Sequence, residues 1–132
     1  MARKIFVNLA IADLDRSVAF FRALGFEFNP QFTDSNATCM IVSDSIFVML
    51  LTRPYFQGFT RKSLCDAHQS TEVLVCLQVE DRAAVDDLVA RAVAAGGRTP
   101  TQPQDHGFMY QHGFEDLDGH LWELVHMSGM PG

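Results

Sequence analysis

Apolar side chains alternate with other residues along Val7, Leu9 and Ile11, and again along Val75, Leu77 and Val79. Each run predicts a strand with one apolar face. The two runs lie 68 residues apart, and each is followed two positions later by an aspartate, Asp13 or Asp81. An aspartate at that point can cap a helix, because its side-chain oxygen accepts an orphan N–H of the first turn. Behind the aspartates the period changes. Val85, Leu88, Val89 and Ala92 fall at i, i+3, i+4 and i+7, and Leu14, Val18 and Phe21 mark a similar stripe. Gly25 and Gly96-Gly97 then offer left-handed C-cap positions.

Both halves continue through short strand-like segments. In the first these are about 26–33, 38–42 and 46–51, with turns at Ser35-Asn36 and Ser43-Asp44-Ser45. In the second they are about 98–102, 108–114 and 120–127, the last turn being Asp116-Leu117-Asp118-Gly119. The predicted architecture is α+β: one domain over 1–132, made of tandem βαβββ modules at about 4–52 and 72–128, with curved mixed sheets around a cleft. The segment 53–71 joins them. It carries Tyr55, Phe56, Phe59 and Leu64, more large apolar groups than a solvated linker holds, and reads as a lid over a pocket, a subunit contact or a packed crossover.

Charge narrows the partners. Ten basic against 16 acidic side chains leave a net charge of −6 with no Lys/Arg cluster, which argues against nucleic acid or an anionic membrane and leaves small molecules or other proteins. About seven mostly apolar residues precede Asp13, too few for a signal or a membrane span of roughly 20 residues, so a cytoplasmic location is expected. Cys39, Cys65 and Cys76 show no CxxC spacing and read as reduced, mostly buried thiols. At 132 residues the chain buries roughly two-thirds of its unfolded surface, enough for a core without staples. Eleven Phe residues supply that core and suit a planar apolar ligand better than a sugar or phosphate.

Two motifs carry a resemblance. The start Asn8-Leu9-Ala10-Ile11-Ala12-Asp13-Leu14-Asp15-Arg16-Ser17 running to Leu24-Gly25-Phe26, and the close Asp116-Leu117-Asp118-Gly119-His120-Leu121-Trp122-Glu123-Leu124, resemble the vicinal oxygen chelate superfamily. It includes glyoxalase I, extradiol dioxygenases, fosfomycin resistance enzymes and bleomycin-binding proteins. The resemblance implies two sheets around a cleft, commonly in a dimer, and a metal ligand on the first and last strand of each half. Carried over, those positions are Phe6, Leu74, Met49 or Leu50, and Glu123. Three of the four offer hydrocarbon or at most a thioether, so no metal residues are assigned and no cofactor is expected. A relocated divalent metal near His106, His112, His120 and Glu123 is the alternative.

Alternation puts Glu123 on a face with Leu121 and Val125, away from Trp122, Leu124 and His126. A four-residue loop 116–119 would set His112 opposite Glu123, whereas a two-residue Asp118-Gly119 turn would pair it with Val125. Glu123 is either a general base or a carboxylate satisfied by Asn8, His112 or water. The ligand-binding candidates are Phe6, Asn8, Met49, Leu74, Cys76, Phe108 and Glu123; the catalytic ones are Glu123, His112 and Tyr110. The leading expectation is a homodimer that binds a small hydrophobic or aromatic molecule. A lyase, isomerase or dioxygenase-type enzyme using Glu123 or a relocated metal comes second, and a structural or regulatory partner protein third.

Overall fold

Asp13 ends the first strand and opens the first helix. Its carboxylate accepts the Arg16 N–H at 3.1 Å, joining β1 (Ile5–Ile11) to α1 (Leu14–Ala23). Gly25 follows at φ 101°, a left-handed turn its missing Cβ permits. The chain continues through β2 (Glu27–Asn29), a single 3-10 turn (Pro30–Phe32), β3 (Ala37–Ile41), β4 (Ile46–Thr52) and α2 (Arg53–Gln57). These strands form a mixed sheet in the order β1-β4-β3-β2, with β1 and β4 parallel. In-register neighbours share a face, so Leu9, Leu50, Val48 and Met40 make one fully buried surface, and Asn8, Met49 and Cys39 belong to the other.

The computed structural model describes residues 3–128, and its two compact units divide between Leu64 and Cys65. The second unit repeats the plan of the first. Asp81 accepts the Ala84 N–H at 2.7 Å and caps α3 (Arg82–Ala94) behind β5 (Leu74–Gln78). Then come β6 (Gln104–Asp105), β7 (Met109–Glu115) and β8 (Leu121–Met127), in the order β5-β8-β7-β6, again with the first and last strands parallel. Trp122, Phe114 and Leu124 are buried, as are Val85, Val89 and Ala92 of α3, which packs on β7 and β8. The Phe114 and Trp122 rings stack with centroids 6.1 Å apart.

Four sequence expectations change. The segment expected as a strand over 26–33 stops at Asn29, where Pro30 starts the 3-10 turn under an Asn29 cap on Gln31 N–H at 3.0 Å. The strand expected at 98–102 is reduced to one bridge, Arg98 to Glu115, and pairing resumes only at Gln104, because Pro100 and Pro103 have no N–H to give a ladder. Neither register considered for the last hairpin forms. Glu115 pairs with Leu121, which sets Gly113 opposite Glu123 and His112 opposite Leu124. The Asp116 carboxylate causes this, since it takes the N–H groups of Asp118 and His120 at 3.0 Å each and holds the loop wider than a two-residue turn. Of the cysteines only Cys39 is buried; Cys65 and Cys76 are exposed.

Candidate functional site

In the first unit, the Asn8 and Met49 side of the sheet opens into a cavity of about 320 Å³. Asn8, Met49, Leu51 and Ala37 come from the strands, so their direction is set by the pleat. One wall runs from the 3-10 turn toward β3, bringing Gln31, Phe32, Thr33 and Asp34. That wall is pinned: the Thr33 hydroxyl donates to the Asn29 carbonyl at 2.8 Å and meets the Thr38 hydroxyl at 2.9 Å. The other wall is Tyr55 and Phe59, whose rings stand edge to face at 5.3 Å. Tyr55 and Phe59 of the segment 53–71 thus border this pocket. Phe6 lies on the same face as Asn8 but outside the cavity lining, half exposed and stacked on Phe47 with centroids 4.8 Å apart.

In the second unit a cavity of about 300 Å³ holds Glu123, with Leu74, Leu121, Gly113 and Gln111 around it and Thr101 and Gln102 on the loop side. Gly113 makes the space. A Cβ there would stand 2.6 Å from the Trp122 carbonyl oxygen and 3.7 Å from the Glu123 Cγ, so no side chain fits between the two strands at this point. Cys76 is in register with Glu123; although the residue is exposed overall, local desolvation of its thiol and then the Glu123 charge push the thiol up. The register settles an alignment that was open by one residue. Asn8 is to Met49 in the first sheet what Cys76 is to Glu123 in the second, so Met49, and not Leu50, is the counterpart of Glu123.

The three catalytic candidates do not converge. His112 borders the Glu123 cavity, but on β7 it belongs with Leu124 and not with Gly113 and Glu123. Its Nε2 lies 2.8 Å from the Thr101 carbonyl and 2.9 Å from the Thr99 hydroxyl. A carbonyl only accepts, so Nε2 carries the hydrogen and ties the ring to the loop. Tyr110 likewise turns away from Glu123. Its hydroxyl donates to Asp86 of α3 at 2.6 Å, which raises the phenol, and its ring lies under the Arg82 guanidinium at 5.1 Å. Phe108 precedes β7, is 44% exposed and borders neither cavity. Among the described residues no three His, Cys, Asp or Glu side chains are grouped as metal donors. Sequence reasoning missed Phe32, Asp34 and Gln111. Pro30 was the available signal for the first two, since a proline after a short strand turns the next side chains out of the sheet.

Comparison with known proteins agrees with this fold. Residues 3–43 match the family described as bleomycin resistance protein-like N-terminal. A hypothetical protein from S. aureus is 31% identical, covering 95% of this chain and 94% of its own, with a TM-score of 0.79. A glyoxalase-related enzyme from Fulvimarina pelagi is 20% identical over 99% of this chain and 92% of its own, with a TM-score of 0.81. A genomically encoded fosfomycin resistance protein from Listeria monocytogenes is 20% identical over 100% of this chain and 94% of its own, with a TM-score of 0.68. No curated protein matches the chain. Among the described residues no helix is long and apolar enough to cross a membrane.

Proposed function

We propose that the chain is a member of the vicinal oxygen chelate superfamily of glyoxalases, bleomycin resistance proteins and dioxygenases, whose fold it shares and whose bleomycin resistance protein-like N-terminal model matches its residues 3–43, and that it binds a small hydrophobic or aromatic molecule without the superfamily's divalent metal. The observation that carries the proposal is the character of the four ligand positions. Phe6, Met49 and Leu74 present a ring, a thioether and an isobutyl group, and the Phe6 ring is already stacked on Phe47. Hard divalent ions need oxygen or imidazole donors, and the Glu123 carboxylate alone does not hold one against water. The donor set therefore does not fit the metal, and no step is routed through one.

What replaces the metal is apolar contact. The cavity at Asn8 and Met49 is walled by Phe32, Tyr55 and Phe59, which supply large, stiff faces for a planar body, while Asn8 supplies a carboxamide to orient it. Binding without turnover is the function this arrangement supports best. A homodimer in the cytoplasm is the setting we propose, since β1 and β5 are sheet edges with Ile5, Phe6, Val73 and Leu74 exposed, and a second copy would cover such edges. Sedimentation should then give twice 14.7 kDa.

The direct test is a panel of planar aromatic compounds titrated by NMR and calorimetry, beside titration with Ni, Zn, Fe(II) and Mn. We expect saturable aromatic binding that falls about tenfold in Tyr55→Ala, the scale of a lost aromatic contact, and no stoichiometric metal site. Metal binding at micromolar or tighter affinity that disappears in Glu123→Ala overturns the proposal. One observation favours a second reading, an enzyme with Glu123 as general base. Its carboxylate borders a cavity and has no hydrogen bond or ion pair with another described residue. Turnover of any panel compound that is lost in Glu123→Gln, with ligand affinity retained, selects that reading.

A further inference from the structure

The cavity of the first unit holds a combination that aromatic binding alone leaves unused. Phe32, Tyr55 and Phe59 are 60%, 43% and 67% exposed, yet all three border the same space. Exposed aromatic rings gathered at one cavity mark a place for a partner. The planes of Tyr55 and Phe59 meet at 88°, so the two rings form walls nearly at right angles. Beside them stands Asp34, whose Oδ1 accepts the N–H groups of Asn36 at 2.8 Å and Ala37 at 3.0 Å. Its second oxygen makes no hydrogen bond with another described residue. Among the described residues no Lys or Arg borders the cavity, and the chain as a whole carries a charge of −6.

We propose that this cavity is an aromatic cage for an organic cation, a protonated or quaternary amine carried on an apolar body. The inference rests on reading the cavity as a small-molecule site and narrows the class of molecule. The face of an aromatic ring carries negative charge density and attracts a cation within about 6 Å of its centroid. Two perpendicular rings and a third bordering the same cavity offer that attraction to a rounded headgroup. The Met49 thioether is polarisable and adds to it. Asp34 borders the cavity and supplies the counter-charge, its carboxylate held in place through Oδ1. A carboxylate or phosphate ligand would meet the same Asp34 with no positive side chain to offset the repulsion.

The experiment compares choline with its neutral tert-butyl isostere, dimethylbutanol, by NMR titration of the full chain, with the planar aromatic panel run in parallel. Choline should bind about threefold more tightly than the isostere, the scale of a cation on aromatic faces that stay partly exposed. Asp34→Asn should remove most of that preference and leave the isostere unchanged. Tyr55→Leu, which keeps an apolar wall, should weaken choline more than the isostere. Equal binding of the pair, or choline binding indifferent to Asp34→Asn, overturns the cation inference. If neither molecule of the pair binds but planar aromatics still shift signals of Asn8 and Met49, the cation inference fails and the small-molecule reading stands. Failure of every compound to perturb this cavity overturns both.

Discussion

Replacing Asp116 by Asn should loosen the last hairpin although it changes one atom type. Asp116 is 5% exposed, and three donors converge on it. Oδ1 takes the N–H groups of Asp118 and His120, and Oδ2 takes the Trp122 indole N–H, all at 3.0 Å. A carboxylate has two acceptor oxygens, whereas an asparagine has one oxygen and an NH2 group that only donates. If the oxygen stays with the two amides, the NH2 confronts the indole N–H; if the group rotates, the indole keeps its acceptor and the two amides lose theirs. Each arrangement sets buried donors against each other, which costs about 1–3 kcal/mol. For a chain of this size that lowers Tm by about 3–6 °C per kcal/mol. Trp122 is the single tryptophan and is 1% exposed against Phe114, so its fluorescence and near-UV dichroism report on this site. Urea unfolding followed at Trp122 should show a lower midpoint with an unchanged slope. A variant within about 0.5 kcal/mol of wild type, the range of neutral surface changes, would refute the view that this carboxylate organises the hairpin.

Gly113→Ala should destabilise the second unit by about 1–3 kcal/mol, the cost of overpacking. Its Cβ would sit 2.6 Å from the Trp122 carbonyl oxygen, and backbone has to move to make room. Unchanged urea stability would show that β7 and β8 separate freely there. Asp105 should titrate at about 2, because Arg82 donates to both of its oxygens at 2.7 and 2.9 Å and the Gly107 N–H donates at 2.9 Å. A folded value below the ordinary 3.8 favours the ionised form, so the contribution of this contact is present above pH 3.8 and is lost as pH falls through about 2. Carboxyl-carbon NMR checks it: Arg82→Gln should return the midpoint toward 3.8, and an unmoved midpoint would rule Arg82 out as the cause.

The local features of this fold were legible because they depend on a few neighbouring residues. The Asp13 and Asp81 caps, the period-2 faces of β1 and β5 and the left-handed turns at Gly25 and Gly96 all stand where the pattern placed them. So does the duplication, since the same strand-to-helix signal recurs at a constant offset. The orientation of Glu123 away from Trp122 and Leu124 also followed from alternation and needed no partner strand.

Register and cavity walls were not legible, because each depends on a contact between segments far apart in the chain. The pairing of His112 with Leu124 turns on how many donors the Asp116 side chain gathers into its loop, which no strand pattern encodes. Met49 became the counterpart of Glu123 only when the parallel pairing of β1 with β4 set it beside Asn8. Phe32, Asp34, Tyr55 and Phe59 come from two segments without strand periodicity, and it is the packing of those segments over Asn8 and Met49 that makes them one site. Side-chain direction within a strand follows from the pleat, whereas a neighbour across a cavity follows only from closing the loops that lie between.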